Sequence, residues 1–207
     1  MSQASNRLLE RSPEPLLIIL SGPSGAGKDA VLEKLKKKCR LSHITTVTTR
    51  PRRPGEKDSI HYHFVSPDEF QQLIKDNALL EHAQVYGNWY GVPRKPVKES
   101  IAAGKDTIIK VDIQGAATIK KAVPQAVFIF LTPPSVEELV KRLKERNTES
   151  EDGLAHRVKK AHEEIKKLHL FDYIVFNRAG EMEQAVAEIK AIIAAEKCRV
   201  KPRKITL

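Results

Sequence analysis

The stretch GPSGAGK, residues 22–28, constrains the fold of this chain more than any other part of the sequence. It follows the apolar run LLIIL at 16–20 and precedes VLEKLKKKC, which has the apolar spacing of a helix. The pattern G-x-x-x-x-G-K between a strand and a helix is typical of a phosphate-binding loop. In such a loop the backbone N–H groups and the helix N-terminus face phosphate oxygens, and the lysine reaches the β- and γ-phosphates. The sequence therefore predicts a phosphate site built on Lys28.

Beyond this loop, short apolar strands alternate with amphipathic helices. The predicted strands are TIIKV (107–111), AVFIFL (126–131) and YIVF (173–176), and helical patterns run through DIQGAATIKKAV, SVEELVKRLKER and EMEQAVAEIKAIIAAEK. This order predicts an α/β fold with a parallel sheet flanked by helices. Residues 43–96 break the alternation and predict an insertion over the sheet edge, and residues 142–157 form a polar bend with three arginines.

Composition limits the class of protein. The 207 residues carry a net charge of +10, which fits a nucleic acid or a small polyphosphate as partner, or simply a solvated basic surface. The aromatic fraction of 5% weakens the stacking platform that a binder of single-stranded nucleic acid needs. The cysteines, Cys39 and Cys198, match no metal spacing and favour a reducing compartment. The apolar run at 16–20 is too short to span a membrane. We expect a cytoplasmic protein with a polar leader at 1–14 and a basic tail at 198–207.

Several motifs in a fixed order carry a family resemblance. The chain resembles guanylate kinases over roughly residues 15–197, through GPSGAGK, TTRPRRPGE, HYHFV, EHAQVYGNWYGVP, VDIQG and KRLKERNTESE. The resemblance implies a P-loop fold that transfers the γ-phosphoryl group of ATP, bound with Mg²⁺, to GMP. It also implies a GMP-binding insertion at 43–96 and a short lid at 142–157 that close over the two nucleotides.

The insertion contains a candidate clamp for the acceptor phosphate. Two guanidinium groups and two phenol hydroxyls suit a phosphate dianion. By resemblance these are Arg50, Arg53, Tyr62 and Tyr90, and Thr46 matches a further hydroxyl contact in the guanine pocket. The alternative is a polar surface decorated with arginine and tyrosine.

Two carboxylates match the base-reading positions of the family, Glu81 and Asp112. Guanine presents N1–H and an exocyclic amine side by side, and a carboxylate accepts from both, whereas adenine has an acceptor at N1. A site built on such hydrogen bonds discriminates strongly between bases. The structural alternatives are a solvated strand residue for Glu81 and a helix N-cap for Asp112.

The reaction itself needs no general base, because the second pKa of a monophosphate is about 6. Catalysis then consists of positioning the reactants and neutralising charge. The resemblance assigns neutralisation to Lys28, Arg142, Arg146 and Arg157, and it places Asn177 near the adenine. The ATP site as a whole comprises Gly22, Pro23, Ser24, Gly25, Ala26, Gly27, Lys28, Asp29 and Asn177.

One position departs from the family. Where Ser or Thr normally follows the loop lysine and helps to hold Mg²⁺, this chain has Asp29. A carboxylate ~4 Å from a phosphate charge costs about 4 kcal/mol at an effective dielectric constant near 20. A second departure compensates in charge, because Lys110 stands where the family usually has an acidic residue. We predict that Asp29 and Lys110 lie close together, either as an ion pair or with Asp29 on Mg²⁺ and Lys110 on phosphate.

Three alternatives remain open from the sequence. The first is a non-catalytic guanylate-kinase-like binding module, which the retained Lys28 disfavours. The second is a P-loop kinase for another phosphorylated small molecule, and the third is a nucleic-acid-binding module supported by charge alone. No sequence feature indicates an oligomeric state.

Overall fold

The computed structural model describes residues 13–85, 87–145, 159 and 162–207. Arg146, Arg157 and most of the predicted lid lie outside this range, as does the predicted leader up to residue 12.

A five-stranded parallel sheet forms the centre of the molecule. Its strands are β1 (Leu17–Ser21), β2 (Ser42–Ile44), β7 (Thr107–Lys110), β8 (Val127–Thr132) and β9 (Tyr173–Phe176), in the spatial order β2-β7-β1-β8-β9. Strands β1, β7 and β8 are buried along their whole length because helices cover both faces of a parallel sheet. The predicted α/β class and parallel sheet are confirmed, and the carboxyl ends of all five strands meet at one edge.

Within the described residues, six helices accompany the strands, besides the helical residues 162–165. They are α1 (Lys28–Lys38), α2 (Pro67–Lys75), α3 (Arg94–Ala102), α4 (Ile113–Ala122), α5 (Val136–Glu145) and α6 (Met182–Lys197). Helix α1 begins directly at the phosphate loop, and α6 packs against it, with Glu183 accepting from Lys34 and Lys38. Apolar clusters fill both faces of the sheet.

A second, four-stranded sheet lies within the segment 43–96. It contains β3 (Val47–Thr48), β4 (His63–Phe64), β5 (Leu79–Val85) and β6 (Asn88–Pro93), in the order β4-β3-β6-β5. Helix α2 begins with a capping box between Ser66 and Glu69 and buries Phe70 beneath this sheet. Strand β5 contacts α4, one of the helices beside the five-stranded sheet. This contact brings the second sheet to the edge where the phosphate loop lies.

The C-terminal segment, predicted as a basic tail, packs in part against the main sheet. The Glu196 side chain is fully buried and accepts from Arg203 Nε (2.8 Å), Arg203 Nη2 (3.0 Å) and the Tyr173 hydroxyl (2.6 Å). Ile205 and Leu207 contact the apolar cluster on the sheet face. The basic residue Arg203 therefore stabilises the fold.

Replacing Arg203 with methionine is expected to lower the free energy of unfolding by about 3 kcal/mol, because it removes the nearest cation and two of the three hydrogen bonds of the buried Glu196 carboxylate. Urea denaturation measures this change. Arg199→Met is the matched control: Arg199 reaches the same carboxylate from an exposed position at 3.6 Å, so its loss should cost less than about 1 kcal/mol. Equal losses in the two variants would contradict the structural role of Arg203.

Candidate active site

A pocket of about 220 Å³ lies at the carboxyl edge of the main sheet, between the phosphate loop and the second sheet. The end of β1 supplies the loop, the end of β7 supplies Lys110 and Asp112, and the second sheet closes the opposite side. The pocket contains most of the sequence-predicted site residues: Gly22, Ser24, Gly25, Ala26, Gly27, Lys28, Asp29, Thr46, Arg50, Arg53, Tyr62, Glu81, Tyr90 and Asp112.

The phosphate loop holds its lysine against its own backbone. Lys28 Nζ donates to the carbonyls of Gly22 (2.6 Å) and Pro23 (3.0 Å). Burial lowers the pKa of Lys28 to about 8, although the nearby Glu164 carboxylate opposes the shift. The ammonium is thus positioned at the helix N-terminus, where an anion would pair with it.

Asn177 braces the loop from the end of β9. Its Nδ2 donates to the Ala26 carbonyl (2.8 Å), and the side chain is buried. Gly27 has φ +86°, and a Cβ there would lie 2.4 Å from Asn177 Nδ2, so this position requires glycine. The structure places Asn177 as a support of the loop, which adds a positioning contact to the adenine-side role that the resemblance implies.

Arg142 is the described member of the three lid arginines. It pairs with Glu138 one turn earlier on α5, and its Nη2 donates to the Asn177 carbonyl (2.6 Å). The guanidinium therefore lies beside the segment that supports the phosphate loop.

The predicted phosphate clamp contains an internal carboxylate. Arg50 Nη2 donates to both Glu56 oxygens (2.7 and 3.0 Å), and the Arg53 backbone N–H donates to Glu56 Oε2 (2.8 Å). Tyr62 stands edge-on to Tyr90 at 5.9 Å between ring centroids, and the Arg50 guanidinium lies 5.5 Å from the Tyr62 ring. Burial raises the pKa of Tyr90, so its hydroxyl remains a donor. The clamp already binds one anion, the Glu56 carboxylate.

Glu81 and Asp112 face the pocket from β5 and from the start of α4. Asp112 Oδ1 accepts from the Gly115 N–H (2.7 Å), so Asp112 is a helix N-cap, as the structural alternative predicted. Its Oδ2 and Glu81 Oε2 are buried and have no hydrogen-bond partner among the described residues. Burial, and then the charge of Asp112, raise the pKa of Glu81 to about 8. Buried acceptors of this kind are costly unless a ligand donates to them.

Gly115 lets these carboxylates approach each other. A Cβ at this position would lie 2.9 Å from Glu81 Oε2 and 3.0 Å from Glu81 Cδ. We expect Gly115→Ala to raise the KM for a ligand read by Glu81 by roughly tenfold, because the carboxylate must shift. The fold should be retained, since alanine favours a helix interior by up to about 1 kcal/mol.

Steady-state kinetics together with thermal melting test this expectation. Gln114→Ala places an alanine on the exposed face one residue earlier and should leave KM unchanged. An unaltered KM in Gly115→Ala would show that Glu81 does not touch the ligand.

Asp29 and Lys110 form an ion pair at the mouth of the loop, and their predicted proximity is confirmed. The pair is asymmetric, because the Lys110 side chain is 9% exposed and the Asp29 side chain 65%. Strands β1 and β7 are neighbours with Leu20 opposite Lys110, which explains the contact. Burial alone would lower the pKa of Lys110, but the contacts with Tyr62 and Asp29 outweigh it and raise that pKa.

Two carboxylates of the pocket, Glu56 and Glu164, were missed by the sequence analysis. Glu56 lies within the quoted motif TTRPRRPGE, where its position beside two clamp arginines was an available signal. Glu164 reaches the pocket from the helical residues 162–165, and no local pattern distinguished it.

The described residues contain no cluster of three or more metal-ligating His, Cys, Asp or Glu side chains, and no helix among them is long and apolar enough to cross a membrane.

Comparison with known proteins gives a consistent result. Residues 14–196 match the family model described as guanylate kinase. The guanylate kinase of Desulfitobacterium hafniense is 46% identical over 187 residues, which are 90% of this chain and 92% of that protein. "Guanylate kinase 2, chloroplastic/mitochondrial" from Oryza sativa is 43% identical over 98% of this chain and 72% of its own length. The crystal structure of guanylate kinase from Anaplasma phagocytophilum aligns with a TM-score of 0.75 at 33% identity, covering 91% of this chain and 89% of that one.

Proposed function

The chain belongs to the guanylate kinase family, and on this premise we propose that its pocket transfers the γ-phosphoryl group of ATP to GMP, giving ADP and GDP. A single observation carries the assignment of the pocket: a phosphate loop with its lysine and a second anion clamp line the same cavity. A phosphoryl transfer between two nucleotides requires two such phosphate sites side by side.

The guanine is read by Glu81 with Asp112. The ionised Glu81 carboxylate accepts from the guanine N1–H and exocyclic amine, and Thr46 adds a hydroxyl from the start of β3. Support comes from the buried carboxylate oxygens that have no hydrogen-bond partner among the described residues. The GMP phosphate replaces the Glu56 carboxylate in the clamp of Arg50, Arg53, Tyr62 and Tyr90, because a dianion competes well with a monoanion.

Charge neutralisation is the main contribution of the protein to the chemical step. The acceptor phosphate is already anionic at neutral pH, since its second pKa is about 6. Lys28 holds the phosphates of ATP, while Arg142, Arg146 and Arg157 neutralise the transferred group as the lid at 142–157 and the GMP-binding insertion at 43–96 close. Closure also excludes water from the reaction.

The residues at the loop are suited to Mg²⁺. Asp29 presents a largely exposed carboxylate at the start of α1, and Mg²⁺ in such enzymes takes one or two carboxylates together with substrate phosphates. Asp29 would hold the ion, and the ion would neutralise charge on the ATP phosphates. The compartment we propose is the cytoplasm, where the free thiols of Cys39 and Cys198 remain reduced and the product GDP enters purine nucleotide metabolism.

The test is a coupled assay of ADP formation from ATP, with and without GMP, during a Mg²⁺ titration of the protein and its Asp29→Ser variant. Turnover should require GMP, with AMP, CMP and UMP inactive, and Asp29→Ser should shift the half-saturating Mg²⁺ concentration. The absence of GMP-dependent turnover in both proteins would overturn the proposal. Turnover with a different monophosphate would support the alternative P-loop kinase.

A further inference from the structure

Lys110 is a buried cation in the pocket that holds both proposed phosphate sites. Its side chain is almost fully buried, and it comes from β7, which pairs with strands on both sides along the main sheet. One neighbour of the ammonium is Asp29 at the loop. The other is the ring of Tyr62, whose centroid is 4.5 Å from Lys110 Nζ. Lys110 therefore contacts one residue of the proposed ATP site and one of the proposed GMP site.

The Tyr62 side belongs to the clamp. The same ring lies 5.5 Å from the Arg50 guanidinium and 5.9 Å from the Tyr90 ring. A phosphate held by these groups would therefore lie near a second cation, Lys110, which contacts the same Tyr62 ring. Both Lys110 and the clamp residues line the one pocket.

The asymmetry of the ion pair decides which partner can leave. Lys110 is held by burial, whereas Asp29 is 65% exposed and keeps favourable hydration when its partner turns away. A buried ammonium must be paired with an anion, but that anion need not be the Asp29 carboxylate. An incoming phosphate with two negative charges is a stronger partner than a monoanionic carboxylate.

We propose that Lys110 couples the two substrate sites: it pairs with Asp29 while the acceptor site is empty and turns to the acceptor phosphate when GMP binds. This inference rests on the proposed function. Exchange of partner leaves the Asp29 carboxylate available to the ATP side only when GMP is present. Binding of GMP and of the adenine nucleotide then becomes mutually favourable, and by linkage the effect is equal in both directions.

Isothermal titration calorimetry with GMP, guanosine and MgADP tests the coupling without any turnover. In the unaltered protein, saturating GMP should tighten MgADP binding by roughly tenfold. Lys110→Met should reduce this coupling factor to less than twofold and lower the affinity for GMP by roughly 30-fold. The affinity for guanosine should change by less than twofold, because guanosine lacks the phosphate. Lys105→Met, an exposed lysine just before the same strand, is the matched control and should change none of these values.

Asp29→Asn distinguishes partner exchange from a purely structural ion pair. In metal-free buffer it removes the competing anion from Lys110, so GMP should bind about threefold tighter, the opposite sign to Lys110→Met. A structural pair would give both variants the same sign. Lys110→Arg keeps the charge and should retain most of the GMP affinity.

Equal losses of GMP and guanosine affinity in Lys110→Met, or a coupling factor that survives the substitution, would overturn the inference while leaving GMP-dependent turnover intact. The absence of GMP binding to the unaltered protein would instead overturn the proposed function, and this inference with it.

Discussion

Replacing Glu81 with glutamine is expected to lower kcat/KM for GMP by roughly 10³-fold while changing the KM for ATP by less than about twofold. The Glu81 side chain is buried, and one of its oxygens has no hydrogen-bond partner among the described residues. A glutamine amide has one acceptor oxygen and one NH₂ group that donates. At least one of the two guanine donors therefore faces the NH₂ group, and donor meets donor. The preference for GMP over IMP, which lacks the exocyclic amine, should fall with it.

The pH dependence separates this role from a structural one. The pKa of Glu81 in the empty site is raised to about 8, first by burial and then by the Asp112 charge. Guanine requires the ionised carboxylate, so GMP binding at pH 7 should release close to one proton. The affinity should rise by roughly tenfold between pH 7 and pH 9. Calorimetry in two buffers of different ionisation enthalpy measures the released proton, and Glu81→Gln should release none.

The same shift predicts how stability changes with pH. The folded-state pKa of Glu81 lies above its unfolded value of 4.5, so the folded protein holds a proton that the unfolded chain loses. The contribution of Glu81 to the free energy of unfolding is therefore complete below about pH 4.5 and is lost as the pH rises through 8. Between these two pH values the free energy of unfolding of the unaltered protein should fall by roughly 4 kcal/mol relative to that of Glu81→Gln. Glu99→Gln, an exposed carboxylate on α3, is the control and should show no such trend.

The sequence was sufficient wherever a local pattern sets the structure. The phosphate loop and the buried strands follow from glycine placement and apolar runs, which depend on neighbouring residues only. The ion pair of Asp29 and Lys110 was predictable for a different reason. Asp29 adds a negative charge after the phosphate loop that follows β1, and Lys110 puts a positive charge at the end of β7 where the family usually has an acidic residue. These compensating changes imply proximity if β1 and β7 are adjacent.

Contacts between distant segments could not be read in this way. Gly115 leaves room for the carboxylate of Glu81, which lies 34 residues earlier in the chain. Nothing in the helical pattern of α4 indicates that Glu81 is its neighbour. The C-terminal segment looked like a basic tail, because charge was visible in the sequence whereas the buried partner Glu196 lay within an ordinary helix. The strands β3 and β4 have two residues each, too short for any periodicity.

Replacing Lys28 with methionine is expected to lower kcat by roughly 10³-fold at pH 7, with the fold retained. Lys28 Nζ is held by two loop carbonyls at the N-terminus of α1, so its ammonium is in place before the phosphates arrive. Methionine has a similar length and no charge. Burial already lowers the pKa of Lys28, which shows that the charge is unfavourable in the empty fold, so Lys28→Met should melt no lower than the unaltered protein at pH 7.

Because the pKa of Lys28 is about 8, the pH dependence of the kinetics tests the same role. Below pH 8 the free protein carries the ammonium that ATP requires, and above pH 8 it loses that charge, so kcat/KM for ATP should fall by tenfold per pH unit. Bound phosphates favour the charged form, so kcat should remain level to a higher pH. Lys37→Met, an exposed lysine on the same helix, should show both profiles unchanged. A kcat/KM profile that stays flat through pH 9 would mean that Lys28 does not meet the ATP phosphates.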